Sequence, residues 1–162
     1  MLLVIDIDGT IADDSERNKR HIAKYGKSWD VSNVSEYMQG CENDGVIWNG
    51  IHAINRLIER GYMICFLTAR SQEFREQTMQ WLEQFFNRMD FSLIMRPYDN
   101  KSDIRIFKHE KLVKIKNNTG RNIILIDNEE VIVENKAIQE ICLTLKAPEC
   151  WAVLGAAFAP RW

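Results

Sequence analysis

Leu2-Leu3-Val4-Ile5-Asp6-Ile7-Asp8-Gly9-Thr10 is the stretch whose reading decides the fold. An apolar run from Leu2 to Ile7 reads as a buried strand, and it delivers two carboxylates at its end. Asp6 and Asp8 stand two residues apart, so a strand aims both toward the same side of its sheet. Crowded carboxylates repel and call for a cation between them or a proton on one. Gly9 permits a sharp exit from the strand, and Thr10 adds a hydroxyl at the turn. Such a site can hold a hard divalent metal and attack a phosphorus atom. The plainer reading is a strand followed by an acidic turn, since Asp and Gly favour turns.

Working outward, four more apolar runs follow: Tyr62–Leu67, Phe91–Met95, Asn122–Ile126 and Ile138–Leu145. Several are continuously apolar rather than alternating, the mark of strands covered on both faces. Helical patterns separate them. Ile47, Ile51, Ile54 and Ile58 step by four, three and four, with Gly61 where a helix stops. Phe74, Thr78, Trp81 and Phe85 repeat the step behind Ser71, a candidate N-cap. Ile104, Phe107, Lys108, Leu112 and Ile115 mark a third helix. The fold class expected is α/β with a parallel open sheet. Residues 11–45 break the alternation. They are polar, open with the capping pattern Asp13-x-x-Glu16, and read as one helix to Tyr25, a loop and a second short helix, anchored by Trp29, Tyr37 and Trp48. This looks like an insertion after the first strand, at the strand ends where ligands bind in open α/β sheets.

Each later strand end also carries chemistry. Leu67-Thr68-Ala69-Arg70, followed by Ser71 and a helix, offers a hydroxyl and free amides suited to phosphate. Capping of the next helix is the ordinary use of such residues. Lys108 lies on the stripe of 108, 112 and 115, and a lysine on an apolar face needs a carboxylate or phosphate partner. Lys111 is its rival, with Lys114 beside it and fewer apolar flanks. Ile123-Ile124-Leu125-Ile126 ends in Asp127-Asn128, a further oxygen donor with a neutral neighbour, and oxygen-only ligation of this kind suits Mg2+. Arg17, Lys19, Arg20, Lys24 and Lys27 cluster in the insertion, and helical spacing puts Arg17, Arg20 and Lys24 on one face that could meet a phosphate backbone. A solvated helix face explains the same run.

Bulk properties set the frame. The 162 residues suit one domain able to bury about 70% of its unfolded surface. A net charge of -2 argues against general coating of nucleic acid and leaves room for a local basic patch. Cys41, Cys65, Cys142 and Cys150 show no metal-ligand pairing, so buried free thiols in a reducing cytoplasm are expected. No apolar stretch reaches the length of a membrane span, and no signal peptide is expected. Gly26-Lys27-Ser28 resembles the end of a nucleotide-binding P-loop. That loop needs Gly where this chain has His21, and it follows a strand rather than a helix, so a P-loop kinase is excluded.

In order, Asp-x-Asp-Gly-Thr, Leu-Thr-Ala-Arg, a helix lysine and Ile-Asp-Asn resemble the haloacid dehalogenase (HAD) superfamily of phosphotransferases over residues 1–146. The closest likeness within it is to the phosphatase domain of phage-type polynucleotide kinase-phosphatases, carried by Arg17, His21, Trp29, Thr78, Trp81-Leu82, Met95-Arg96-Pro97 and the 103–108 segment. The chain departs from the pattern where Asp103 precedes Lys108 by five residues rather than four, and where Asn128 replaces a second acidic residue. The resemblance implies a HAD-like Rossmannoid three-layer sandwich, one domain over 1–162 with a small cap at 11–45 and a tail at 147–162. It implies that Asp6 is the nucleophile, forming an aspartyl-phosphate. Asp8 would be the acid–base, protonated through a raised pKa. Thr68 and the Ala69 amide would bind phosphate, and Lys108 would offset its charge. Arg70 would clamp phosphate or orient a carboxylate; Arg96 would do either or cap its strand. Mg2+ would sit on Asp6, the Asp8 carbonyl and Asp127. The implied substrate is a polynucleotide 3'-phosphate end, with Arg17 among its contacts. The contrasting readings are a phosphatase of nucleotides or sugar phosphates and a binding module without turnover.

Overall fold

The computed structural model describes residues 1–26 and 34–157. Lys27, Ser28 and the expected anchor Trp29 lie outside these residues, as does the tail beyond 157. The strands β1 (Leu2–Ile5), β4 (Met63–Ser71), β5 (Phe91–Arg96), β6 (Ile123–Asp127) and β7 (Leu143–Lys146) form one sheet in the order β5-β4-β1-β6-β7. All its pairings are parallel, and β1 is central, with Val4 opposite Cys65 on one side and Leu125 on the other.

The continuous apolar runs are explained by cover on both faces. Leu3, Ile5 and Phe66 point to one face, where α3 (Trp48–Glu59) brings Ile51, Ile54 and Leu57, and α4 (Arg75–Leu82) brings Trp81 and Leu82. Leu2, Val4, Cys65 and Leu125 point to the other, where α5 (Ile104–Thr119) supplies Phe107, Leu112 and Ile115. The short helices α6 (Glu130–Val133) and α7 (Lys136–Gln139) add Ile132 and Ile138 to that second face. Helix, sheet and helix make the three layers expected of an α/β sandwich.

Between β1 and α3 lie β2 (Ala12–Asp13), α1 (Ser15–Tyr25), α2 (Val34–Met38) and β3 (Gly45–Val46). The strands β2 and β3 pair antiparallel, Ala12 opposite Val46, so both ends of this segment meet at the edge of the sandwich. C-terminal to the sheet, α8 (Glu149–Ala157) packs on α3, and Trp151 enters the first core.

Three local expectations are corrected. Ile138–Leu145 is not one strand: Ile138 belongs to α7, where the Asn135 side chain accepts from the Ile138 amide at 3.2 Å, and β7 starts at Leu143. A short apolar run fits helix and strand equally, and the cap decides. The Asp13-x-x-Glu16 capping box does not form. Asp13 accepts from the Ser15 amide at 3.1 Å, while Glu16 pairs with Lys19. The helix after β4 covers only Arg75–Leu82, leaving Phe85 beyond it; Ser71 caps the preceding 3-10 turn through the Glu73 amide. All four cysteines are free and buried.

Candidate active site

At the end of β1 the Asp6 amide still donates to the Ile126 carbonyl at 2.9 Å, holding the chain in the sheet up to that residue. The turn then tightens onto one acceptor, as the Ile7 carbonyl receives the Thr10, Ile11 and Ala12 amides. Gly9 has φ +70, and a Cβ there would lie 2.3 Å from Asn128 Nδ2, so no other residue fits this corner. Asn128 in turn accepts from the Thr10 hydroxyl at 3.3 Å. The Thr10 carbonyl takes the Trp151 indole N–H at 2.9 Å.

Lys108 projects from α5 into the gap between two strand ends. Its Nζ lies 2.9 Å from Asp6 Oδ1 and 2.5 Å from Asp127 Oδ2, and the side chain is 1% exposed. Lys111 instead stands over the Phe107 ring, 5.6 Å from its centroid. Asp127 is fixed by the Glu129 amide, which donates to its Oδ1 at 3.0 Å. Burial pushes the Asp6 carboxyl up to about 8; the charges of Asp127 and Asp8 add to this, and Lys108 opposes it. Burial disfavours the charged Lys108 ammonium, but Asp127 and Asp6 outweigh that and hold it protonated.

Asp8 has a different environment. Arg17 Nη2 reaches its Oδ1 at 2.5 Å, and Arg70 grips it with Nε at 3.0 Å and Nη2 at 2.8 Å. Both arginines also hold Asp44, which accepts from Arg17 Nε at 2.9 Å, Arg17 Nη2 at 2.7 Å and Arg70 Nη2 at 2.8 Å. The Asp44 carbonyl accepts from the Trp81 indole at 3.0 Å, and the Arg17 guanidinium lies 4.4 Å over the Tyr37 ring. Two cations and two anions thus form one buried ring of charge. Burial alone would raise the Asp8 carboxyl, but Arg70 and then Arg17 outweigh it and hold it down at about 2. This corrects the expected raised pKa: in this state the proton belongs on Asp6, and Asp8 is ionised.

Asp6, Asp8, Ala69, Lys108 and Asn128 line one small cleft of about 60 Å³. Thr68 and Asp127 stand behind it, fully buried, and the Thr68 hydroxyl accepts the Arg70 amide at 3.1 Å. The irregular pairing of β4 with β5 between Thr68 and Ser71 accompanies the inward turn of Arg70. Arg70 therefore orients a carboxylate, one of its two expected roles. Arg17 departs from its expectation: it is 3% exposed and committed to Asp8 and Asp44 rather than displayed beside Arg20 and Lys24. Arg96 lies apart from this group, donating to the Ser102 carbonyl and lying 5.8 Å over the Phe107 ring.

Asp44 and Trp151 Nε1 take part in the site without a signal in the sequence, whereas Trp81 is named by the family resemblance. Asp44 lies in a polar loop where acidic residues are ordinary, and nothing in the pattern reports which cation it meets. Among the described residues no group of three or more His, Cys, Asp or Glu gathers as a metal cage. The donors that do converge are hard oxygens, Asp6 and Asp127 on one ammonium. That set fits a small hard cation that keeps water and takes phosphate oxygens.

A family model for the HAD superfamily, subfamily IIIB (acid phosphatase), matches residues 1–140. The chain belongs to this family. As a HAD phosphatase it shares its fold with solved structures of low sequence identity. A chain of a Pnkp1/Rnl/Hen1 complex superposes with a TM-score of 0.68 at 18% identity, covering 90% of this chain and 45% of that one. A chain of the Pnkp1/Rnl/Hen1 RNA repair complex gives 0.68 at 19% identity, covering 90% and 42%. A hydrolase from Streptococcus pneumoniae gives 0.61 at 14% identity, covering 94% and 96%. The HAD chain thus spans less than half the length of the first two. No curated protein matches it in sequence. None of the described helices is long and apolar enough to cross a membrane.

Proposed function

We propose that residues 1–162 form one Mg2+-dependent phosphomonoesterase domain acting through Asp6, with a polynucleotide 3'-phosphate end as substrate. The observation that carries this reading is the meeting of Asp6, Asp127 and Lys108 at adjacent strand ends, beside an Asp8 oriented by two arginines. Asp6, Asp127 and the Asp8 carbonyl are the groups to hold the cation. Bound there, it supplies charge that lowers the Asp6 pKa and neutralises phosphate.

The chain's own groups then have distinct tasks. An Asp6 carboxylate oxygen bonds to phosphorus as the bond from phosphorus to the leaving oxygen breaks. Lys108, with the Thr68 hydroxyl and Ala69 amide, offsets charge on the phosphoryl oxygens. Asp8 gives its proton to the leaving oxygen and later takes one from the water that attacks the aspartyl-phosphate, restoring Asp6. For the first transfer Asp8 must gain a proton that it lacks in this structure. An arriving phosphate dianion favours that, since its charge raises the Asp8 pKa and competes for Arg17 and Arg70.

The nucleic-acid end is supported by the narrower sequence resemblance and by the fold shared with a chain of an RNA repair complex. Buried free cysteines support a reducing, cytoplasmic setting. The decisive variant is Asp6→Asn. Phosphate release from p-nitrophenyl phosphate with Mg2+ is expected to fall to background, and retention of full activity would sink the covalent mechanism. A panel of 3'-phosphorylated oligonucleotides against mononucleotides and sugar phosphates tests the substrate; a large preference for the small esters removes the strand-end reading.

A further inference from the structure

Helix α8 follows the last strand of the sheet, and the steps above give it no task. The family match ends at residue 140, so β7 and α8 both lie beyond it. Its Trp151 is 1% exposed and among the largest fully buried side chains. Packing accounts for the apolar body of that ring. It does not account for where the one polar atom points.

That atom meets the turn over residues 7–12, which carries Asp8. Inside the turn the Gly9 amide donates to the Ala12 carbonyl at 2.8 Å. Two of its carbonyls are held from outside. The Ile11 carbonyl accepts from the Ile47 amide at 2.9 Å, just before α3 begins. The Thr10 carbonyl accepts from Trp151 Nε1 at 2.9 Å, and Thr10 is fully buried. The backbone two residues beyond Asp8 therefore rests on one indole N–H.

A glycine in α3 clears the way for it. A Cβ at Gly50 would lie 3.0 Å from Trp151 Nε1 and 3.1 Å from Ile11 Cγ2. Within a helix Gly is disfavoured relative to Ala, and no positive φ calls for it here. Close approach of the indole supplies the reason. The helix that carries the indole is itself tied down at both ends. The Ala147 amide donates to the Asp127 carbonyl at 2.9 Å, and Arg56 Nη1 donates to the Gly155 carbonyl at 3.2 Å.

We propose that Trp151 is a positioning residue, setting through the Thr10 carbonyl where the Asp8 carboxyl stands relative to the leaving oxygen. The inference rests on the phosphatase reading and gives α8 a part in it. Arg17 and Arg70 hold the Asp8 side chain; Trp151 holds the backbone from which it springs. Proton transfer across one hydrogen bond is sensitive to such placement.

The test compares two leaving groups of similar shape. The nitro group spreads the charge of a departing p-nitrophenolate, whereas phenolate needs more of the proton that Asp8 supplies as its bond to phosphorus breaks. kcat/KM is measured on p-nitrophenyl phosphate and on phenyl phosphate. In Trp151→Phe the phenyl ester is expected to lose about five-fold more than the nitrophenyl ester. Misfolded molecules lower both by one factor and leave their ratio alone. Gly50→Ala crowds the indole while favouring the helix, so the ratio is expected to shift the same way, by about two-fold. In the double variant the bond is already gone, and no loss beyond that of Trp151→Phe is expected. A fixed ratio in both single variants, or losses that multiply in the double variant, would overturn the proposal. With the unaltered chain active, that result removes this inference alone. An unaltered chain that cleaves neither ester removes the phosphatase reading, and the inference with it.

Discussion

Asp6 and Asp8 are chemically identical and two residues apart, yet their surroundings drive their acidities in opposite directions. In the metal-free protein the Asp6 carboxyl, pushed from 3.8 to about 8, binds its proton more tightly than in the unfolded chain. Between those values the folded state keeps a proton that the unfolded state has lost, so stability falls as pH rises from about 4 to about 8. Asp8 has the opposite sign: held at about 2, it adds stability above 3.8 that is lost as pH falls from 3.8 to about 2. Urea unfolding in EDTA across pH 4–8 is expected to show a falling midpoint, and Asp6→Asn is expected to flatten it. An Asp6→Asn curve parallel to that of the unaltered chain would refute the assignment. Asp44 gives a second prediction at this scale. Its side chain is 2% exposed and accepts from two guanidiniums. Asp44→Asn preserves shape but leaves excess buried positive charge, so a loss of about 3–5 kcal/mol in urea unfolding is expected. A loss below about 1 kcal/mol would show that the ring is not structurally coupled.

At the scale of elements, the strands β1, β4, β5 and β6 and the helices α3, α4 and α5 were legible because their apolar spacing is set by the faces they bury. The errors fell where spacing carries little information. Ile138 sits in an apolar run too short to separate helix from strand, and the α1 start depends on which of two adjacent aspartates turns inward. The catalytic candidates were legible for a related reason: Asp6, Asp8, Thr68 and Asp127 stand at or just beyond the carboxyl ends of strands that the pattern does locate. Asp44 and Trp151 were not, because their partners are fixed by how distant segments pack. Helix α8 is a case in point, since its Trp151 N–H supplies the Thr10 carbonyl. Trp151→Phe keeps most of the ring but leaves that buried carbonyl without a donor, at a cost of about 1–3 kcal/mol. A lower melting temperature together with a lower kcat on p-nitrophenyl phosphate is expected. A change in stability with kcat untouched would limit α8 to packing.

For the whole molecule, a net charge of -2 is compatible with a phosphate site because the cations nearest the cleft are held inside rather than on the surface. Arg17, Arg70 and Lys108 are drawn inward against Asp8, Asp44, Asp6 and Asp127, leaving the long-range field weak and the local one strong. The bond from Trp151 to Thr10 spans 141 residues and joins the turn after β1 to α8. On a ribosome, residues 6–10 emerge well before Trp151, which lies 141 residues beyond Thr10. Throughout that interval the turn lacks the donor that closes it. The turn is thus closed only once α8 has been made, and a nascent chain stalled before α8 carries Asp6 and Asp8 without that closed turn.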